Sequence, residues 1–264
     1  MSWKKKLIAG MAMIAAVAMI AGCGGDAKKE AAQTLPQKIT VGLDDNFPPM
    51  GFRDDSGKIV GFDIDMATEV GKRLNIPVEF KAIDWSAKEA ELKSKKVDLL
   101  WNGLTITEER KKAIDFSNPY MDNQQILVVK ADSPIQAKAD FNGKLLGTQE
   151  GSSSVTALDK DEPFKKSLKE VKLYGDFVAA FMDLELGRID GMLVDSVVGR
   201  YYMQQKPGAF RALDDSMGSE LFGVGLRKED TLLRDKINQA FTDMKKDGTS
   251  AKISEKWFGK DVTK

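Results

Sequence analysis

The chain contains no histidine. That removes the usual general base at neutral pH, the commonest metal ligand and the usual pH switch. Its one cysteine is Cys23, so no disulfide forms within the chain and no cysteine-based zinc site exists. Neither sign of charge prevails: forty Lys and Arg face forty Asp and Glu. That balance offers no basic field to a nucleic acid, and the charge runs at 93–96 and 165–169 read as solvated helix faces. Nothing calls for a cofactor, and no internal repeat is evident. What is present is 264 residues, 42% of them hydrophobic, enough for one large core or two modest ones.

One long apolar run exists, and it stands at the start. Lys4, Lys5 and Lys6 precede an apolar stretch over 7–20, and the small pair Ala21-Gly22 comes directly before Cys23. The pattern predicts an export signal over 1–22, its apolar length short for a bilayer-spanning helix. Removing it leaves 37 basic and 40 acidic residues, a net charge of −3. Residues 23–37 are small, polar and aperiodic, and read as a flexible tether beginning at Cys23. The stretch Ile20-Ala21-Gly22-Cys23 resembles the lipobox of bacterial lipoproteins. That resemblance implies a lipid on Cys23 and a folded domain working at a membrane surface outside the cytoplasm; an uncleaved anchor and plain secretion are the alternatives.

Beyond the tether, strands alternate with helices. Strands are predicted over 39–43, 78–83, 97–101, 125–130, 144–148, 171–174, 189–194 and 222–226. A helix is predicted with Asp63 and Asp65 in its first turn, Met66, Val70 and Leu74 along one face and Pro77 as its stop. Phe177, Ala180, Phe181 and Leu184 mark a second core-facing helix, and Leu233, Ile237, Ala240, Phe241 and Met244 a third. Alternation of this kind implies mainly parallel α/β sheets, whose ligands bind outside the carboxyl ends of the strands. The break at 116–120 and the return near 218–222 divide the chain into two lobes, 38–122 with 223–262 and 123–222, crossed twice at a hinge.

The strand ends carry the chemistry. The stretch 101–116, W-N-G-L-T-I-T-E-E-R-K-K-A-I-D-F, ends a strand at Asn102-Gly103 and opens a helix at Glu108, with Thr107 as its cap. Arg110 stands where a cation suits the helix dipole least, and its planar fork is made to clamp a carboxylate beside the N–H groups of Gly103 and Thr105. Asp44, Phe47 and Trp85 come from neighbouring strand ends. The loop at 149–154 offers Ser153 and backbone donors from the second lobe, and Asp195 ends another strand there. A cationic clamp and an isolated acid across a cleft complement the carboxylate and ammonium of an α-amino acid. Flat aromatic walls would hold its side chain.

From about residue 38 to 259 the chain resembles the family 3 extracytoplasmic solute-binding proteins of polar amino-acid ABC transporters. The matching motifs are Val60-Gly61-Phe62-Asp63-Ile64-Asp65, the block from Gly103 to Arg110, Asp115-Phe116-Ser117 with Pro119-Tyr120, and Asp247-Gly248-Thr249 with Lys256-Trp257-Phe258-Gly259. The resemblance implies the two-lobe periplasmic-binding-protein fold of type II. It assigns Arg110, Thr105, Gly103 and Ser153 to the ligand carboxylate, Asp195 to its amino group, Asp44, Phe47 and Trp85 to the side-chain pocket, and Asn102 to its neighbourhood. It also implies a monomer that hands a free polar amino acid, basic ones included, to permease subunits. Two other classes stay open: a cyclohexadienyl or arogenate dehydratase on the same fold, with Glu150 or Asp195 as general acid, and a sensor module acting through a separate partner. With no histidine and a ligand that keeps its zwitterion, binding is expected to change little between about pH 5.5 and 8.

Overall fold

The computed structural model describes residues 34–264. The export signal, Cys23 and most of the tether fall outside them. The described residues form two lobes, each built on a five-stranded sheet. In the first sheet the strands lie in the order Val78–Ala82, Ile39–Leu43, Leu99–Leu100, Gly225–Leu226 and Asp115–Phe116. The first three run parallel, and Gly225–Leu226 runs antiparallel to its neighbours. Ile39, Val41 and Leu43 are buried, as expected of a parallel strand with helices on both faces. The helices Phe62–Leu74 and Thr231–Lys246 supply part of that cover through Met66, Val70, Leu233, Ile237 and Met244.

The second sheet takes the order Glu170–Tyr174, Leu145–Gln149, Gly191–Asp195, Met121–Lys130 and Phe210–Phe222. Its first three strands are parallel and the last two antiparallel. A small third sheet, Asn46–Phe47 with Gly51–Arg53 and Ile59–Val60, follows the first strand.

The strand expected over 125–130 extends back to Met121, and its partner Phe210–Phe222 is far longer than a return strand beginning at 222. The stretch F-R-A-L-D-D-S-M-G-S-E-L-F carries Asp, Ser and Gly, which are poor strand formers. Pairing along Met121–Lys130 overrides that preference, at the cost of irregularities between Ala212 and Ser216 and between Ser216 and Ser219. At the end of this ribbon Phe222 pairs with Met121 and also bridges Thr105 of the first lobe. Both crossings of the chain between the sheets therefore lie beside the loop that carries the clamp.

Candidate ligand-binding cleft

The clamp begins with a cap. Thr107 Oγ1 accepts from the backbone N–H of Arg110 at 3.1 Å and starts the short helix Glu108–Ala113. The Arg110 guanidinium then folds back over the loop, donating from Nη1 to the Thr105 carbonyl at 2.8 Å and from Nη2 to the Gly151 carbonyl at 3.1 Å. Its side chain is only 11% exposed, and Glu89 Oε1 lies 3.8 Å from Nε. Two carbonyl bonds leave three of the five guanidinium N–H groups for another acceptor. Thr105 Oγ1 and Ser153 Oγ stand 3.0 Å apart. Thr105 comes from the first lobe and Ser153 from the first turn of the helix Ser153–Lys160 in the second, so the two hydroxyls meet across the cleft beside the cation.

Gly103 does not play the part its position suggested. Its N–H donates to Asp63 Oδ2 at 2.7 Å, an oxygen that also accepts from Tyr120 Oη at 3.0 Å. That N–H is therefore unavailable to a ligand. Asp63 stands in the first turn of the helix Phe62–Leu74 and is buried beneath the clamp loop, where burial raises its carboxyl to about 7. Gly103 has a different reason to be glycine. Its φ is +57°, and a Cβ there would lie 2.9 Å from Phe47 Cε1.

Asp195 lies buried at the end of the strand Gly191–Asp195 and makes no side-chain cap for the helix that follows. Its Oδ1 accepts instead from Asn123 Nδ2 at 2.6 Å and from Gln125 Nε2 at 2.9 Å. Gln125 Nε2 also lies 3.1 Å from Ser153 Oγ, which ties the acid to the hydroxyl pair. Burial first, and the Glu220 carboxylate second, push the Asp195 carboxyl well above its ordinary value.

At the other end Asp44 is 6% exposed. Its Oδ1 accepts from the Asn46 N–H at 2.9 Å, and its Oδ2 accepts across the cleft from Gln149 Nε2 at 2.6 Å. Burial raises this carboxyl to about 6, against the pull of those two bonds. Asn102 is held away from such work, because its Nδ2 donates to the Asp44 carbonyl at 3.0 Å and its Oδ1 is buried without a partner. Phe47 packs on Phe177 of the second lobe with ring centroids 5.8 Å apart. Trp85 is buried within a cluster of Leu92, Val97, Leu100 and Leu104, and its ring lies 5.3 Å beneath Lys88 Nζ. That ammonium donates to the Trp85 carbonyl at 3.1 Å and to the Gly151 carbonyl at 2.9 Å.

All the expected residues among those described thus belong to one region where the lobes meet, while Asn102 and Gly103 support the loop. Sequence reasoning missed Asp63, Lys88, Asn123, Gln125 and Glu220. A signal for two of them existed: in Met121–Lys130 the buried positions alternate through Met121, Asn123 and Gln125, so two amides occupy the inward face of a strand. A cavity of about 260 Å³ opens beside Asp44, Asp45, Trp85, Glu150 and Asp176. A larger one, about 730 Å³, lies on the hinge side among Asn123, Arg200, Tyr201, Glu220, Trp257 and Lys260. None of the expected residues lines the larger cavity, so the site is located by converging charge and not by volume.

Two lobes on mainly parallel sheets, hinged beside an arginine–hydroxyl clamp with a buried acid opposite, define a solute-binding protein. The chain belongs to the bacterial extracellular solute-binding proteins, family 3, whose model matches residues 39–260. It is 34% identical to the L-cystine-binding protein TcyJ of Escherichia coli (strain K12) over 261 residues, 95% of each chain. A solved ABC uptake transporter substrate binding protein from Streptococcus pneumoniae with bound histidine superposes with a TM-score of 0.84 at 43% identity, covering 86% of this chain and 94% of that one. An ancestral arginine-binding protein, solved bound to glutamine and bound to arginine, gives a TM-score of 0.80 at 40% identity, covering 86% of this chain and all of that one.

Proposed function

We propose that this protein binds one free polar α-amino acid, basic ones included, between its lobes and delivers it to the permease subunits of an ABC transporter. The observation that carries this reading is the cross-lobe arrangement of Arg110, Thr105 and Ser153 at one side, with Asp195 joined to them through Gln125. Arg110 and the two hydroxyls take the α-carboxylate, and Asp195 takes the α-ammonium. Phe47 and Trp85 wall the side chain, with Asp44 and Gln149 at its tip. Residues 38–122 with 223–262 move as one lobe and 123–222 as the other. Ligand contacts completed only when both lobes engage favour closure. A lipid on Cys23 would hold the domain at the bacterial membrane, outside the cytoplasm.

The relatives are named for what they bind, and this reading follows them in treating the chain as a binding protein and not an enzyme. A thermal-shift panel over the free amino acids and cystine tests it. A ligand at 100 times its Kd adds ~2.7 kcal/mol of stability, so one or a few polar amino acids should raise the melting temperature by several degrees. A panel in which none does so contradicts the reading.

A further inference from the structure

The ribbon strand Phe210–Phe222 carries Glu220 into the cluster, and the site as proposed gives that residue no role. Glu220 Oε2 lies 2.9 Å from Thr105 Oγ1, 3.1 Å from Ser153 Oγ, 3.0 Å from Asn123 Nδ2 and 2.9 Å from Gln125 Nε2. The last two nitrogens are the partners of Asp195 Oδ1. Two carboxylates therefore converge on one pair of neutral amides. The amides are aimed at them by Ser196, which donates to Asn123 Oδ1 at 3.1 Å, and by Ser154, which donates to Gln125 Oε1 at 2.5 Å.

Charge does not balance around this pair. Arg110 acts on both acids, but it also answers Glu89, and Lys88 stands beside it. On the hinge side Glu220 shares a cavity with Asp122, Arg200 and Lys260, and Asp122 pairs with Lys264. Two adjoining acids with one shared guanidinium leave room for one more positive charge.

We propose that Glu220 is the second acid of the ammonium site, forming with Asp195 a carboxylate pair that takes the primary ammonium of the ligand in exchange for a proton. The proposal rests on the reading of the cleft as an amino-acid site. In the ligand-free protein burial, and the Glu220 carboxylate beside it, hold the Asp195 carboxyl well above its ordinary value, so Asp195 is the acid that carries the proton. When the ammonium enters, its charge replaces that of the proton, which leaves to the solvent. No bond of the ligand changes. The plain alternative is that Glu220 only clasps the hinge to Thr105 and Ser153, in which case ligand binding moves no proton through it.

Titration calorimetry of the full protein in two buffers of different ionisation enthalpy, near pH 7, counts the protons. The probes are L-glutamine, L-arginine, L-cystine and L-histidine, the last read only as a difference between proteins. Wild type should release about one proton per bound ligand. Glu220→Gln should release almost none and bind roughly tenfold more weakly. Asp122→Asn, which removes the exposed hinge-side acid paired with Lys264, should keep the release. Should Glu220→Gln fold poorly, the wild-type count on the first three probes decides alone. Binding without proton release, or release unchanged in Glu220→Gln, overturns the proposal and leaves the amino-acid site standing. If none of the four probes binds wild type, the reading of the cleft falls and the proposal with it.

Discussion

The two sides of the cleft network are assembled in different ways. Around Arg110 the hydrogen-bond partners are main-chain carbonyls and a capping hydroxyl held within two short stretches, 105–110 and 151–153, with Glu89 alongside as an ion pair. Around Asp195 they are two side chains of one other strand, 70 and 72 residues away in sequence, with Glu220 of a further strand reached through the same amides. The first side has a cation that stays charged at any ordinary pH. The second has the buried Asp195, whose carboxyl is pushed well above its ordinary value. A local motif builds the permanent charge, and tertiary packing builds the buried acid.

Replacing Arg110 should break that comparison most strongly. Arg110→Ala leaves a ligand carboxylate unpaired in a closed cleft, a loss of roughly 3–5 kcal/mol, or about 100- to 1000-fold or more in affinity by titration calorimetry. Asp195→Asn should cost less, on the order of 10- to 100-fold, because the amide keeps the shape and Glu220 remains. In ligand-free melts the same variant should equal or exceed wild type near pH 7, since it removes a buried acid.

The pH profile sharpens the contrast. The absence of histidine suggested little titration near neutrality, but burial raises Asp44 to about 6 and Asp63 to about 7. A carboxyl raised on folding binds its proton more tightly in the native state. Its contribution is full at low pH and is lost as pH rises from about 4 through the folded value. Ligand-free stability should therefore fall between about pH 4 and 7. Asp44→Asn should flatten the portion below about 6, worth up to about 3 kcal/mol, in denaturant melts at a series of pH values. The smallest effect is expected at Lys88, whose ammonium joins Trp85 and Gly151 across the lobes. Lys88→Met should weaken ligand binding only several-fold, about 1 kcal/mol, measured at the same pH as wild type.

The contrast also explains what the sequence disclosed. Arg110, Thr105 and the Thr107 cap sit within six residues, so turn chemistry and the helix dipole sufficed to find them. Strand alternation placed Asp44, Trp85 and Asp195 at strand ends, because parallel sheets put their carboxyl ends on one side. The fold class was legible for the same reason. Gly103 was misjudged because Asp63, forty residues earlier, reaches its N–H, and no local pattern reports such a contact. Phe210–Phe222 was hidden because its polar residues follow the register of a partner strand and not their own propensity. Glu220 was hidden with it.

If one cleft reads both charges of a zwitterion, each charge can be removed from the ligand separately. The most direct test takes the amino acid that stabilises the protein best and measures its Kd beside those of its α-carboxamide and its des-amino analogue. Each analogue should bind wild type at least ~100-fold more weakly. The carboxamide should lose little more in Arg110→Ala, since the partner of that guanidinium is already gone. Either analogue binding within a few-fold of the parent amino acid would contradict the account.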